Sequence, residues 1–418
     1  VYQLYHKYKD RDLVVLGLLV TLAIAKNLRI FFSFLFSGKG FPQCDDSKWY
    51  LTYAGAIWQN LTDGLDMNDI LYFGYNILLT TLLAIFKDPV VVIFIQAVIA
   101  GIGVILVYKI SHILFNRTTA IIASLFYIST WDITLWSMYI LSDSFFISLL
   151  LLSVYLLIMA LETGLKKYKL LFAATALYML VFRPTGIISL VFILIYLAIR
   201  VEKKSLVQLI KNHRWVIGGV LAVAGLVGVY LVTGNKFDPF INSLQFNAKK
   251  VLYNVYAKGW IYDKPTVHDY FFRSDYKINI CNSLVLSYLI NNWQHVLILY
   301  AKRAVAFLGH WVWKTDLSSV AGVMMFVSNL VPTVLFFTGT IAAIRNRLFK
   351  KAAVVWLVIL AIFIFCVLVF IDWMYRYRAP AIPFIAIVAA YGADRIIHGT
   401  LIIVKRYGDA AKWKKGKC

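Results

Sequence analysis

The sequence predicts an all-α, polytopic membrane protein with about ten membrane-spanning helices, and three observations carry that prediction. The chain is 61% hydrophobic and only 15% charged, whereas soluble chains run near 45–50% apolar and about 25% charged. Its mean hydropathy is +0.76. Its apolar runs are long enough to cross a bilayer, which takes roughly 20 residues per helix, and they are separated by short basic loops. The net charge of +22 is spread over those loops, not gathered on a soluble domain. That distribution excludes a nucleic-acid partner and points to anionic lipid headgroups and phosphate-bearing substrates.

Residues 1–12 are polar and basic, with Lys7, Lys9 and Arg11, and read as cytoplasmic. The first span covers 13–36. It is too long for a cleavable leader and lacks a small-residue cleavage site, so it stays in the membrane. Residues 37–89 form an outer loop rich in Asp and aromatics. Within it, 71–86 is apolar but short, and suits a helix lying in the interface. Further spans follow at 90–108, 118–138, 144–161, 169–182, 187–200, 215–233, 320–344, 353–371 and 379–398. With 71–86 left out of the count, every short basic loop falls on one side. These are Lys109/Arg117, Lys166/Lys167/Lys169, Lys203/Lys204/Lys211/Arg214 and Arg345/Arg347/Lys350/Lys351, joined by the basic tail. The positive-inside rule then sets both termini in the cytoplasm. Residues 234–319 make a long outer loop. The organisation expected is a membrane module over 1–233, that loop region, and C-terminal helices with a basic tail over 320–418.

The outer half holds the ionisable residues, and such groups at a membrane invite a functional reading. Asp45 and Asp46 open the stretch Asp45-Asp46-Ser47-Lys48-Trp49-Tyr50. Asp46 and Tyr50 are four apart and would share a helix face. Asp46 could serve as a general base or, with Asp45, hold a divalent cation; equally, it could simply cap a helix. Ser142-Asp143-Ser144 precedes an apolar run, which is also an N-cap signal. Arg183-Pro184 marks an outer turn. Arg376 and Arg378 flank Tyr377 in an interfacial stretch, and arginines on the outer side suggest a phosphate held by guanidinium forks. Lys26 and Arg29 sit three apart in the outer half of the first span, where snorkelling competes with substrate binding. His268, His295 and His310 have no metal-ligand spacing. Cys44 and Cys281 both fall on the outer side and read as two free thiols, with a disulfide between them as the alternative. Asn60-Leu61-Thr62 is a glycosylation sequon on the same side.

Taken in order, these residues resemble the GT-C superfamily of polyprenyl-phosphate-sugar glycosyltransferases, which includes protein O-mannosyltransferases and aminoarabinose transferases. Asp46 to Leu51 with Ala54 looks like the family's first-loop Asp motif. Gly74-Tyr75 is similar to its juxtamembrane Pro-x-x-Tyr helix, without the proline. Leu114 to Arg117 looks like the basic turn after the second span. Leu141 to Ser144 is similar to the second acidic motif, Arg183-Pro184 to a Lys-Pro, and Arg376 to Pro380 with Pro383 to the late Arg-Tyr-Arg motif. The resemblance runs from about residue 13 to 398 and leaves 234–319 unmatched, the region expected to select the acceptor.

The resemblance implies a GT-C-like fold with juxtamembrane helices on the outer face of the cytoplasmic membrane. It implies transfer of a sugar, with inversion, from a polyprenyl-phosphate donor to a lipid, polysaccharide or protein acceptor. In that reading Asp46 is the general base and Asp143 a second catalytic residue. Asp45, Tyr50, Arg29, Lys26, Arg183, Arg376 and Arg378 bind substrate. No cofactor is obligatory, with a divalent cation optional at Asp45 and Asp46. A flippase for lipid-linked sugars, or a polymerase or ligase of lipid-linked saccharides, is the alternative; the latter could use Arg273 and His268.

Overall fold

The computed structural model describes residues 12–201, 208, 211–212, 214–244, 277–280, 284–309, 317–368 and 374–415. About half of the loop region 234–319 lies outside these, including Cys281, His268, Arg273, His310 and the side chain of His295. Every element among the described residues is helical.

The helix α1 (Asp12–Phe36) crosses antiparallel to α5 (Pro89–Leu114). At one end the Phe31 and Phe94 rings meet edge to face at 5.4 Å. At the other, Asp12 accepts hydrogen bonds from Tyr108 (3.1 Å) and Arg117 (2.5 Å). The first pair marks the loop face of the bundle and the second marks the opposite face. Between α1 and α5 come α2 (Asp45–Gly55), α3 (Ile57–Asp63) and α4 (Met67–Phe86). By length and composition α4 could cross a membrane. Yet it opens beside the α2 region and runs straight into the start of α5 on the loop face, so it leaves and returns on the same side. Its N-terminus is fixed by a capping box in which Asp66 and Asp69 each accept from the other's backbone.

The expected single span at 118–138 is two pieces, α6 (Arg117–Ser129) and the short α7 (Trp131–Trp136). The chain breaks at Thr130, whose backbone is extended. Lys26 Nζ donates to the carbonyls of Ile128 (2.5 Å) and Thr130 (2.8 Å), satisfying oxygens that the break frees. Gln96 then donates to the carbonyls of Ser137 (3.2 Å) and Tyr139 (2.6 Å). The segment between two crossings is thus pinned from α1 and α5.

The remaining long helices are α8 (Ser142–Thr163), α9 (Lys166–Leu180), α10 (Pro184–Arg200), α11 (Arg214–Thr233), α12 (Leu284–Asn291), α13 (Trp293–Gly309), α14 (Val320–Arg345) and α15 (Phe349–Leu368). A short α16 (Met374–Arg378) passes through a 3₁₀ turn at Ala379–Ala381 into α17 (Ile382–Lys415). Among the described residues seven helices are long and apolar enough to cross a membrane, with Pro184–Arg200 and Leu221–Thr233 as shorter apolar helices. The count is seven and not ten because the 118–138 stretch is broken and the helices at 169–182 and 187–200 are shorter than the others, as is the described apolar part of 215–233, while α4 is long enough to qualify.

Helices α14 and α17 pack backbone to backbone. A Cβ on Gly339 would lie 2.1 Å from the Val388 carbonyl, and one on Gly392 2.1 Å from the Leu335 carbonyl. Small residues at crossings are how helices associate without a hydrophobic drive between them. Around the bundle, Leu18, Leu22, Met324 and Phe337 are exposed, which is the surface lipid would cover.

Candidate active site

Four charged side chains from four distant parts of the chain meet on the loop face. Asp46 lies in the first turn of α2, where a negative charge suits the helix dipole. Asp143 lies in the first turn of α8, Arg183 in the turn before α10, and Arg376 on α16. Arg183 Nη1 donates to Asp143 Oδ1. Arg376 Nε donates to Asp143 Oδ2 at 2.8 Å, and its Nη1 donates to Asp46 Oδ2. The result is a chain, Asp46–Arg376–Asp143–Arg183. Asp143 and Arg183 are fully buried, Arg376 nearly so, and Asp46 is half exposed, with 50% of its side chain accessible.

The capping reading of Ser142-Asp143 fails here. The α8 N-cap is Leu141 and no side chain caps it. The Asp143 carboxylate spends both oxygens on arginines instead. Ser142 Oγ pairs with the Tyr50 hydroxyl at 3.3 Å, so Asp46 and Tyr50 do share the face their spacing implies. Burial pushes the Tyr50 phenol well above its ordinary range, and the Asp46 charge adds to this against the pull of Arg376. Tyr50 therefore stays protonated and able to donate.

The position of Arg183 follows from tight packing beneath it. Pro184 starts α10, a position where its missing N–H costs nothing. Gly74 N donates to the Val181 carbonyl at 2.7 Å, and the Tyr178 hydroxyl donates to the Gly74 carbonyl at 2.9 Å. A Cβ on Gly74 would come within 3.0 Å of Tyr178 and 3.2 Å of the Val181 oxygen. A side chain at Gly74 would make Tyr178 and the turn give by a few tenths of an ångström. The Arg183 guanidinium carbon lies 4.4 Å from the Tyr377 ring centroid, and that of Arg376 lies 5.4 Å from it, within cation–π range. Burial pulls the Arg183 charge down, but the Asp143 carboxylate outweighs it and holds the guanidinium above its ordinary range. Its Nε and Nη2 are buried and lack a hydrogen-bond partner among the described residues.

Arg378 does not join this chain. Residues two apart on a helix point to different sides, so the two arginines expected to share one phosphate separate. Arg378 donates to the Ala306 carbonyl (3.2 Å) and to Asp132 (3.4 Å), and stacks on Tyr375 at 5.3 Å. Asp132 was not among the residues singled out from sequence. An Asp inside an expected span was the available signal. Burial pushes its carboxyl up, partly offset by Arg378.

Lys26 and Arg29 also fall outside the cluster. Lys26 holds the α6 carbonyls, and Arg29 is exposed on α1. Asp45 is exposed beside Asp46. Among the described residues no group of three His, Cys, Asp or Glu side chains is placed to hold a metal.

The arrangement can grip an anion with buried guanidinium donors next to a half-exposed carboxylate. No curated protein matches the chain. The family model described as dolichyl-phosphate-mannose-protein mannosyltransferase matches residues 72–231, a stretch that holds Asp143 and Arg183. That family is part of the GT-C superfamily, so over 72–231 the chain is similar to membrane glycosyltransferases of the GT-C type.

Proposed function

We propose that the Asp46–Arg376–Asp143–Arg183 cluster binds the phosphate of a polyprenyl-phosphate sugar and that the chain transfers the sugar, with inversion, to an acceptor hydroxyl. The observation that carries this reading is Arg183, a fully buried cation with two unpaired donors beside a second, nearly buried arginine. A buried donor left unpaired costs about 1–3 kcal/mol. A phosphate oxygen is the partner such a fork suits.

In the proposed reaction the acceptor oxygen attacks the anomeric carbon from the side opposite the phosphate. The new C–O bond forms as the bond between the anomeric carbon and the phosphate oxygen breaks. The electron pair stays on that oxygen, and the acceptor proton passes to Asp46. Charge develops on the departing phosphate, where Arg183 and Arg376 are already oriented to stabilise it. The phosphate leaves as an anion and needs no proton. Asp143 has both oxygens engaged, so Asp46 is the carboxylate available as base. The donor tail would lie in the bilayer, and the site would face out of the cytoplasm, because the short basic loops lie at the opposite ends of the helices. A lipid, polysaccharide or protein hydroxyl would be the acceptor.

The test is to incubate the purified protein in nanodiscs with a panel of polyprenyl-phosphate sugars and follow released polyprenyl phosphate by mass spectrometry. Turnover of at least one donor supports the reading. No release from any donor, together with movement of sugar-lipid across proteoliposomes, would replace the transferase with a flippase.

A further inference from the structure

We infer that Asp46 and the donor's phosphate are alternative partners of Arg376, so that donor binding displaces Asp46 and frees it as the base. This rests on the polyprenyl-phosphate reading above and adds an order of events to it. Arg376 has two acidic partners that differ sharply. Asp143 takes its Nε, is fully buried, and is also bound to Arg183. Asp46 takes its Nη1, and half of its side chain is exposed. Among the described residues Arg376 is the one hydrogen-bond partner of the Asp46 carboxylate. When one partner must leave, Asp46 goes, because removing Asp143 would strip two buried cations at once.

Charge favours the same exchange. The cluster holds two aspartates and two arginines. A phosphodiester carries one negative charge, as does the carboxylate it would replace. The swap therefore leaves no buried charge uncompensated, which would otherwise be costly. While Asp46 is bound to Arg376, its Oδ2 is taken up by the guanidinium and the carboxylate is held toward the arginine, with Oδ1 alone left to take a proton. Donor binding releases Oδ2 and lets the carboxylate turn to the acceptor hydroxyl. Asp143 is then a positioning residue that holds Arg376 and Arg183 in place and touches no substrate.

The full-length protein in nanodiscs tests this with polyprenyl phosphate as the binding probe, since every donor of the class shares that group. Asp46→Asn removes the competing charge, and its affinity for the probe should rise by at least about threefold while turnover is lost. Asp46→Glu keeps the competitor and should bind as weakly as wild type. Asp46→Ser provides a second neutral variant if the amide perturbs folding. Unchanged or weaker binding by both folded neutral variants, with wild type still releasing polyprenyl phosphate from a donor, overturns the exchange and leaves the transferase reading standing. If wild type neither binds the probe nor turns over any donor, both fall together.

Discussion

Two buried carboxylates sit near opposite ends of the helices, and their surroundings differ in kind. On the face away from the loops, Asp394 accepts from Asn116 (2.9 Å), Thr119 (3.3 Å) and Arg395 (2.5 Å). Asn116 is itself the cap of α6, accepting from the Thr119 amide. This network ties α17 to the start of α6, and its donors are consumed in doing so. On the loop face Asp143 holds two arginines, one of which keeps two buried donors unpaired. The first network is complete as a fastener. The second is complete only when something else enters it. A family resemblance points to the site, but the unpaired donors are what separate the two physically.

Substitutions sharpen that contrast. The largest effect should come from Asp46→Asn, which should lower kcat by about 10²–10⁴-fold, the range for losing a general base. The thermal unfolding midpoint should fall less than for Arg183→Ala, because Asp46 is half exposed and Arg376 keeps its bond to Asp143. Next comes Arg183→Ala, which removes a stabiliser of the leaving phosphate. It should cost about 10²–10³-fold in kcat, and should destabilise the fold by about 3–5 kcal/mol because Asp143 loses one of its two arginines. Steady-state turnover and denaturant unfolding measured on one preparation separate the two. Lys26→Met should act on stability alone. Losing its two bonds to the Ile128 and Thr130 carbonyls should cost about 1–3 kcal/mol, with affinity for polyprenyl phosphate unchanged. A large rise in the donor KM of the folded variant would return Lys26 to the site. Arg29→Ala should be the mildest, within about 0.5 kcal/mol and with activity close to wild type.

Much of the site was legible in the sequence, and the rest was hidden for identifiable reasons. Asp46, Asp143, Arg183 and Arg376 were each marked by residue type at the ends of apolar runs, and the structure brings all four together. The same reading grouped Arg378 with Arg376, although helical geometry at a spacing of two sends them apart. The hydrogen bonds of Lys26 were not legible because its partners lie about a hundred residues away, and no local pattern reports such a bond. The break at Thr130 escaped notice for the same reason. The stretch from Ile128 to Asp132 has neither glycine nor proline, and the lysine that satisfies the freed carbonyls belongs to another helix. Asp132 fell inside what read as one span and was passed over.

The most direct test sets the two carboxylates against each other. Release of polyprenyl phosphate from a donor that wild type accepts would be measured for Asp143→Asn and Asp394→Asn, normalised to folded protein. The account predicts that Asp143→Asn loses at least about 10²-fold in turnover, while Asp394→Asn is less stable but turns over within about threefold of wild type. Equal losses in both, or full activity in folded Asp143→Asn, would contradict it.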